Sequence, residues 1–380
     1  MLSANRARQL FAVHRWTGLI TGLFILFLSL TGAALVFITE IDRVVHRDLL
    51  VSKPSGPMIA PEQALAAVAA QYPKAKASRV DLPYIESSVF TVWTNRQNVD
   101  GRRFNQIMVN PYTAEITGVR NLNTSLPFVL RQLHLRFLKF GWKGRVVVGG
   151  FGVLLLLSTI TGLFIYSRFI RALPRWYSIR RDRGFQISTS DWHKLVGVVA
   201  LAFNLVIAFT GAVLGLENLA RYSPAVQEAI HPKVDKSAFP KPPATLNGAV
   251  PVSAVVAQAK AAVPGFAPLY VSLPRAKKSH YIVHGNLRGR VEMESASQVG
   301  VHALTGEVFM QHLSRDTKTI TKAYYWMDPL HFGYWGGVAS KALYLVFGLT
   351  TAFLSITGFV VWYMKTRKRR ARPVAMKVAA

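Results

Sequence analysis

Four histidines stand at matched places in the chain, each ahead of an apolar run of membrane length. His14 is followed by Gly18 and by Thr31-Gly32; His193 is followed at the same spacing by Gly197 and Thr210-Gly211. Leu133-His134 precedes a run ending in Ile160-Thr161-Gly162, and Leu330-His331 precedes one ending in Ile356-Thr357-Gly358. Imidazole is a common axial ligand of haem iron, and two imidazoles on one iron leave no open position. Such iron suits outer-sphere electron transfer and disfavours oxygen binding. Four imidazoles on four membrane segments therefore point to haem and to electron transfer across a membrane. The competing reading of each histidine is an ordinary polar residue at the membrane boundary.

A chain that crosses four times puts His14 and His193 near one face and His134 and His331 near the other, so each pair is expected to share one haem. Residues eighteen apart on a helix face the same way after five turns. His14, Gly18 and Gly32 thus form one stripe, and His193, Gly197 and Gly211 another, where glycine admits a porphyrin or a close helix neighbour. Haem propionates need cations or water. Arg15, Lys194 and Arg136 lie beside three of the histidines, while Tyr334 and Trp335 stand near His331. Arg136, Tyr334 and Trp335 are also the candidates for docking a substrate outside. Both outer histidines precede their apolar runs by about ten residues, which places their haem at or above the membrane edge. At about 1.5 Å per residue, Glu40 lies about 39 Å along the helix from His14, a wide gap for direct transfer.

The elements that must position these residues are four runs at Trp16–Thr39, Val146–Tyr166, Leu195–Leu216 and Ala342–Tyr363. Each is near the ~20 residues that cross a ~30 Å hydrocarbon layer, and lipid leaves a helix as the spanning form. The first run is too long for a cleaved secretory signal and reads as a retained anchor. Arg6, Arg8 and Arg15 precede the first run. Arg168, Arg171, Arg175, Arg180, Arg181 and Arg183 lie between the second and third, and Lys365, Arg367, Lys368, Arg369, Arg370 and Arg372 follow the fourth. Positive charge marks the cytoplasmic side, so both termini read as inside. Much of the excess behind the formal charge of +28 lies in these flanks, where anionic lipid is a nearer partner than nucleic acid. The absence of cysteine excludes disulfides, iron–sulfur clusters and thiolate-ligated haem.

The segments between the spans resemble each other. Ala60-Pro61-Glu62-Gln63 opens an alanine-rich helix to Tyr72, followed by strand patterns at Ser88–Trp93 and Gln106–Val109 and by the turn Asn110–Glu115. Pro251-Val252-Ser253 opens a second such helix to Ala262, followed by Tyr281–Val283, Val299–Ala303 and the turn Leu304–Glu307. Proline suits the first turn of a helix, and polar or glycine-bearing steps suit hairpins. The expected architecture is an α-helical membrane protein, a four-transmembrane-helix bundle with two small α+β modules outside, built by internal duplication. Its expected segments are 1–40 (first span), 41–142 (first module), 143–167 (second span), 168–192 (cytoplasmic loop), 193–217 (third span), 218–336 (second module), 337–364 (fourth span) and 365–380 (basic tail). Phe239–Pro243 reads as a linker.

The two modules look like PepSY domains. Set between spans that carry His14-Arg15-Trp16-x-Gly18 and Trp192-His193-Lys194-x-x-Gly197, they resemble the PepSY-associated transmembrane proteins over nearly the whole chain. The resemblance implies a bacterial inner-membrane protein with two periplasmic segments. It also implies, from those members that are di-haem ferric-siderophore reductases, two bis-histidine haem b groups. On that reading a periplasmic ferric siderophore or other ferric chelate is reduced to Fe(II), with electrons from a separate cytoplasmic or membrane donor. No dinucleotide fingerprint, P-loop, His-Glu-x-x-His or Gly-x-Ser-x-Gly pattern supplies a donor domain in the chain itself. Two alternatives remain: a haem-free PepSY membrane protein that binds or regulates partners, and an iron-complex permease, against which the scarcity of acidic residues in the spans argues.

The other histidines, His46, His231, His280, His284, His302 and His312, fall outside the membrane. His280 and His284 share a strand face and could hold a metal, or be loop-edge side chains. Trp16, Trp142, Trp192, Trp335 and Trp362 fit interfacial anchors, as do Glu40, Asp42 and Glu217.

Overall fold

The spans contain no proline, so each can satisfy its backbone internally, as lipid requires. In the computed structural model, which describes residues 4–99, 102–138, 140–170, 178–234, 239–241, 246–275 and 280–370, they are helices that run beyond their apolar limits. The first span is Ala4–Val36, the second Gly141–Ile170 and the fourth Gly337–Arg370. The third is Phe185–Val199 followed by Leu201–Leu216, with a one-residue irregularity at Ala200 inside a run that reads as continuous. Four helices are long and apolar enough to cross a membrane, and the chain is a multi-pass membrane protein. Residues 171–177 and 371–380, with Arg171, Arg175 and Arg372, and Pro242-Pro243 of the expected linker, lie outside the described residues.

The chain divides into two compact units. Met1–Phe37, Leu130–Ala220 and Leu330–Ala380 form the spanning unit; Ile38–Val129 and Arg221–Pro329 form the sheet unit. Within the spanning unit the first span packs on the second and fourth, the second on Leu201–Leu216, and the fourth on Phe185–Val199. The second and third spans touch backbone to backbone. A Cβ on Gly149 would lie 2.8 Å from the carbonyl carbon of Gly215, and one on Gly152 would lie 2.8 Å from the nitrogen of Ala212. Small residues at such a crossing allow the close packing that drives helix association in lipid. Arg145 closes the same crossing, donating from Nε to Leu214 O at 3.0 Å and pairing with Glu217 at 2.7 Å. Between the third and fourth spans, Thr351 Oγ1 donates to Asn204 Oδ1 at 2.6 Å in a buried position.

In the sheet unit the strands of the two outer segments join. Its strands are β1 (Ala77–Asp81), β2 (Phe90–Val99), β3 (Arg102–Val109), β4 (Ile116–Arg120), β5 (Phe266–Ser272), β6 (His280–Leu287), β7 (Ser297–His302) and β8 (Val308–His312). They make one eight-stranded sheet in the order β4-β3-β2-β1-β5-β6-β7-β8. The join is antiparallel, with Arg79 opposite Ser272, Val80 opposite Val271 and Asp81 opposite Tyr270. Two separate four-stranded sheets would each leave β1 or β5 as a bare edge of unpaired N–H and C=O groups; pairing them removes both edges. Val80, Val92, Ile107, Val109, Val271, Val283, Val299 and Val301 are completely buried. They pack with Ala64 and Val68 of the helix Pro61–Gln71 and with Val255 and Ala259 of the helix Val252–Ala262. Glu62 ties those two helices together, accepting from Ser253 N–H at 3.1 Å and from Ser253 Oγ at 2.6 Å.

Candidate functional site

Two of the histidines sit on long spans and two on short helices that the chain turns back against them. His14 lies in the first span and His193 in Phe185–Val199. His134 lies near the end of the helix Leu126–Arg136, which stops where Phe137 and Leu138 take positive φ angles of 46° and 68°. The second span then starts so close that a Cβ on Gly144 would lie 2.5 Å from Arg136 O. His331 lies in the helix Met327–Phe332, which stops at Gly333, φ 74°. Tyr344 of the fourth span donates from its hydroxyl to Leu330 O at 2.6 Å and holds that short helix in place.

The histidines come together in two pairs. The rings of His14 and His193 have centroids 6.5 Å apart, and those of His134 and His331 have centroids 6.3 Å apart. Each ring is seated on a different helix by its Nδ1 side. His134 Nδ1 lies 3.0 Å from Thr31 Oγ1, His331 Nδ1 2.9 Å from Thr210 Oγ1 and His193 Nδ1 2.9 Å from Thr357 Oγ1. His14 Nδ1 lies 2.9 Å from Ser158 O. The ring edges rest on glycine: Cε1 of His134 at Gly32, of His331 at Gly211, of His14 at Gly162 and of His193 at Gly358. Gly32 and Gly211, expected to admit a porphyrin or a close helix neighbour, each receive a histidine from elsewhere in the chain, and so do Gly162 and Gly358.

The second pair rests on the spans themselves. His134 and His331 are seated at Thr31-Gly32 and Thr210-Gly211, near the ends of the helices Ala4–Val36 and Leu201–Leu216. Along the first span His14 and Thr31 are 17 residues apart, which is about 26 Å at ~1.5 Å per residue. The gap between the pairs is thus shorter than the 39 Å read along the whole helix to Glu40.

The donor set fits haem. Imidazoles on opposite sides of one metal, with bonds of about 2.0 Å and about 1.1 Å from nitrogen to ring centre, have centroids about 6.2 Å apart. Both observed separations lie near this value. With Nδ1 engaged on a neighbouring helix, Nε2 is the nitrogen left to bind. Among the described residues no group of three or more His, Cys, Asp or Glu side chains could hold a metal ion. Arg15 Nε and Arg136 Nε are buried and have no hydrogen-bond partner among the described residues. A buried guanidinium N–H without an acceptor is costly, and a propionate would supply one beside His14 and one beside His134.

The remaining site residues fall differently. Lys194 pairs with Asp191 at 3.4 Å, and Asp191 also takes Arg180 at 2.8 Å, so its ammonium is held by a carboxylate that the sequence reading passed over. Trp335 is partly exposed and lies 3.3 Å through Nε1 from the Tyr344 hydroxyl, while Tyr334 stacks on Phe332. His280 and His284 do not converge. His280 lies 2.8 Å through Nε2 from Pro240 O and its ring centroid is 5.2 Å from that of His302, whereas His284 stacks on Tyr270 at 4.3 Å.

The threonines at the seats were visible as repeated Thr-Gly steps, but their partners, more than 100 residues away, left no local signal. Among known proteins the chain is 30% identical over 254 residues to Uncharacterized protein PA4219 of Pseudomonas aeruginosa, covering 62% of this chain and 63% of that protein, somewhat less than two thirds of its length. The family described as the PepSY-associated TM region matches residues 11–365, and the chain belongs to that family.

Proposed function

We propose that this protein is a di-haem b-type oxidoreductase that carries electrons across a bacterial inner membrane and reduces a periplasmic ferric siderophore or similar ferric chelate, releasing Fe(II). The observation that carries the reading is the pair of imidazole pairs, 6.5 Å and 6.3 Å between centroids, each built from two different parts of the chain. His14 and His193 would hold the haem on the cytoplasmic side, with Arg15 as propionate partner and Lys194 through its shared position with Asp191. His134 and His331 would hold the haem on the periplasmic side, with Arg136 as propionate partner. When bound, such haem supplies reversible one-electron transfer without an open coordination site.

The chain's own residues do the rest. The threonine and carbonyl seats orient the rings, the span contacts keep water from the pairs, and Arg136, Tyr334 and Trp335 are the docking residues for the chelate. Ferrous iron is held less strongly than ferric by hard oxygen donors, so reduction releases the metal. Both termini are assigned to the cytoplasm and the sheet unit to the periplasm from the arginine- and lysine-rich flanks. The order of four strands repeated on each side of the β1–β5 join supports an origin by internal duplication.

The deciding experiment is a visible spectrum of the purified protein with a haem-to-protein ratio. A red protein with two haems per chain, an α-band sharpened by dithionite and reoxidation by ferric chelate is expected. Colourless, folded protein would refute the proposal.

A further inference from the structure

The seats have a hydrogen-bond logic of their own. Thr31 Oγ1 donates its proton to Phe27 O at 2.9 Å, Thr210 Oγ1 to Val206 O at 2.7 Å and Thr357 Oγ1 to Phe353 O at 2.8 Å. A hydroxyl has one proton and two acceptor lone pairs. With the proton committed to the helix four residues back, each threonine can only accept from the imidazole that rests on it. Nδ1 of His134, His331 and His193 must therefore carry hydrogen, which leaves Nε2 bare. A helix interior is where such threonine back-bonding is at home, so the seat costs the span little.

The fourth seat reaches the same result differently. His14 Nδ1 faces Ser158 O, a carbonyl that can only accept, with Ser158 Oγ at 3.4 Å. Thr161, which occupies the place of the other three threonines, turns its hydroxyl to Leu157 O at 2.7 Å and Ser158 O at 3.0 Å.

We infer that Thr31, Thr210 and Thr357 are positioning residues that lock their histidines as the Nδ1–H tautomer and set how strongly Nε2 donates to a bound metal, and that Thr161 has no such role. The inference rests on the haem reading for its redox consequence but not for the tautomer. The hydrogen bond on the far nitrogen fixes which nitrogen ligates and makes it more basic. A more basic ligand favours the ferric state and lowers the reduction potential. Because Thr31 and Thr210 seat the two histidines of one pair, they act on one haem; Thr357 acts on the other.

The test has two arms on full-length protein. In haem-free protein labelled with 15N-histidine, nitrogen shifts should report the Nδ1–H tautomer for all four rings, with His134 becoming a mixture in Thr31→Val. In haem-loaded protein, a redox titration should show Thr31→Val and Thr210→Val moving the same potential upward and Thr357→Val moving the other. Thr161→Val should leave both in place, and the Thr→Ser variants should restore each shift. Haem loss in a valine variant that the serine variant regains also supports the role. Unmoved potentials in all three valine variants, an equal shift in Thr161→Val, equal haem loss in serine and valine variants, or Nε2–H tautomers would overturn it. A colourless parent defeats the haem reading, and the nitrogen shifts then decide the tautomer claim by themselves.

Discussion

Gly32 lies beneath the imidazole of His134: a methyl group built on its Cα would stand 3.0 Å from the ring's Cε1. The same relation joins Gly211 to His331 at 3.1 Å, Gly162 to His14 at 3.2 Å and Gly358 to His193 at 3.3 Å. Each glycine is a vacancy kept for a ring that arrives from another helix.

Gly32→Ala should therefore push the His134 ring out of line. Overpacking of this kind costs about 1–3 kcal/mol, enough to weaken haem retention roughly tenfold. Gly22→Ala is the control, since nothing lies within 4 Å of its missing Cβ. Haem-to-protein ratios of both variants check this; equal ratios would remove the seat from the account.

Removing a seated ring should be selective. His134→Ala or His331→Ala is expected to lose one haem and keep the other, because the two pairs share no histidine. Loss of both haems, or of neither, would contradict the assignment of one haem to each pair.

Arg15 and Arg136 each bury an Nε that has no partner among the described residues. A hydrogen bond to a charged group contributes about 1.5–3 kcal/mol, so Arg136→Leu should speed haem loss roughly tenfold or more. The rate of transfer to a haem-scavenging protein measures it, and a rate equal to the parent's would mean that Arg136 binds no propionate.

The crossing of the second and third spans should tolerate no added bulk. Gly149→Ala places a methyl against Gly215 and Leu216 backbone atoms at 2.8–2.9 Å, and backbone cannot step aside as a side chain does. A loss of about 1–3 kcal/mol is expected, read as a lower melting temperature in detergent. Gly150→Ala, with open space at its Cβ, should melt like the parent.

The sheet unit carries an acid-sensitive group at its central join. Arg79 lies 3.4 Å over the Tyr270 ring, and His284 stacks on the same tyrosine. Burial, and secondarily the Arg79 charge, pushes His284 down to about 4 from an ordinary 6.5. Between those two values the unfolded chain binds the proton and the folded one does not, so this contribution to stability is lost as pH falls from about 6.5 to about 4. Asp81, which burial pushes up against the pull of Arg79 and Trp93, acts in the opposite sense. His284→Gln should flatten the acid side of a melting-temperature profile; an unchanged profile would exclude His284 as the cause.

Periodicity made the spans legible because lipid demands long apolar helices with self-satisfied backbones. It also located β2, β3, β6 and β7, which carry the fully buried Val92, Ile107, Val283 and Val299. The central strands β1 and β5 escaped, since Arg79, Asp81 and Pro268 break the apolar pattern in short runs. Those polar residues make sense only against their cross-strand partners.

From the order of its residues alone, this chain determined four membrane helices, the four matched histidines and the Thr-Gly steps that recur with them, because hydropathy and spacing are local properties. The tertiary structure decided that each glycine serves a foreign histidine, that the second pair reaches into the spans, and that two outer segments close into one sheet. Those outcomes depend on which surfaces meet after the chain has turned back on itself. A hydrogen bond between Thr31 and His134, 103 residues apart, is invisible until the helices that carry them are side by side.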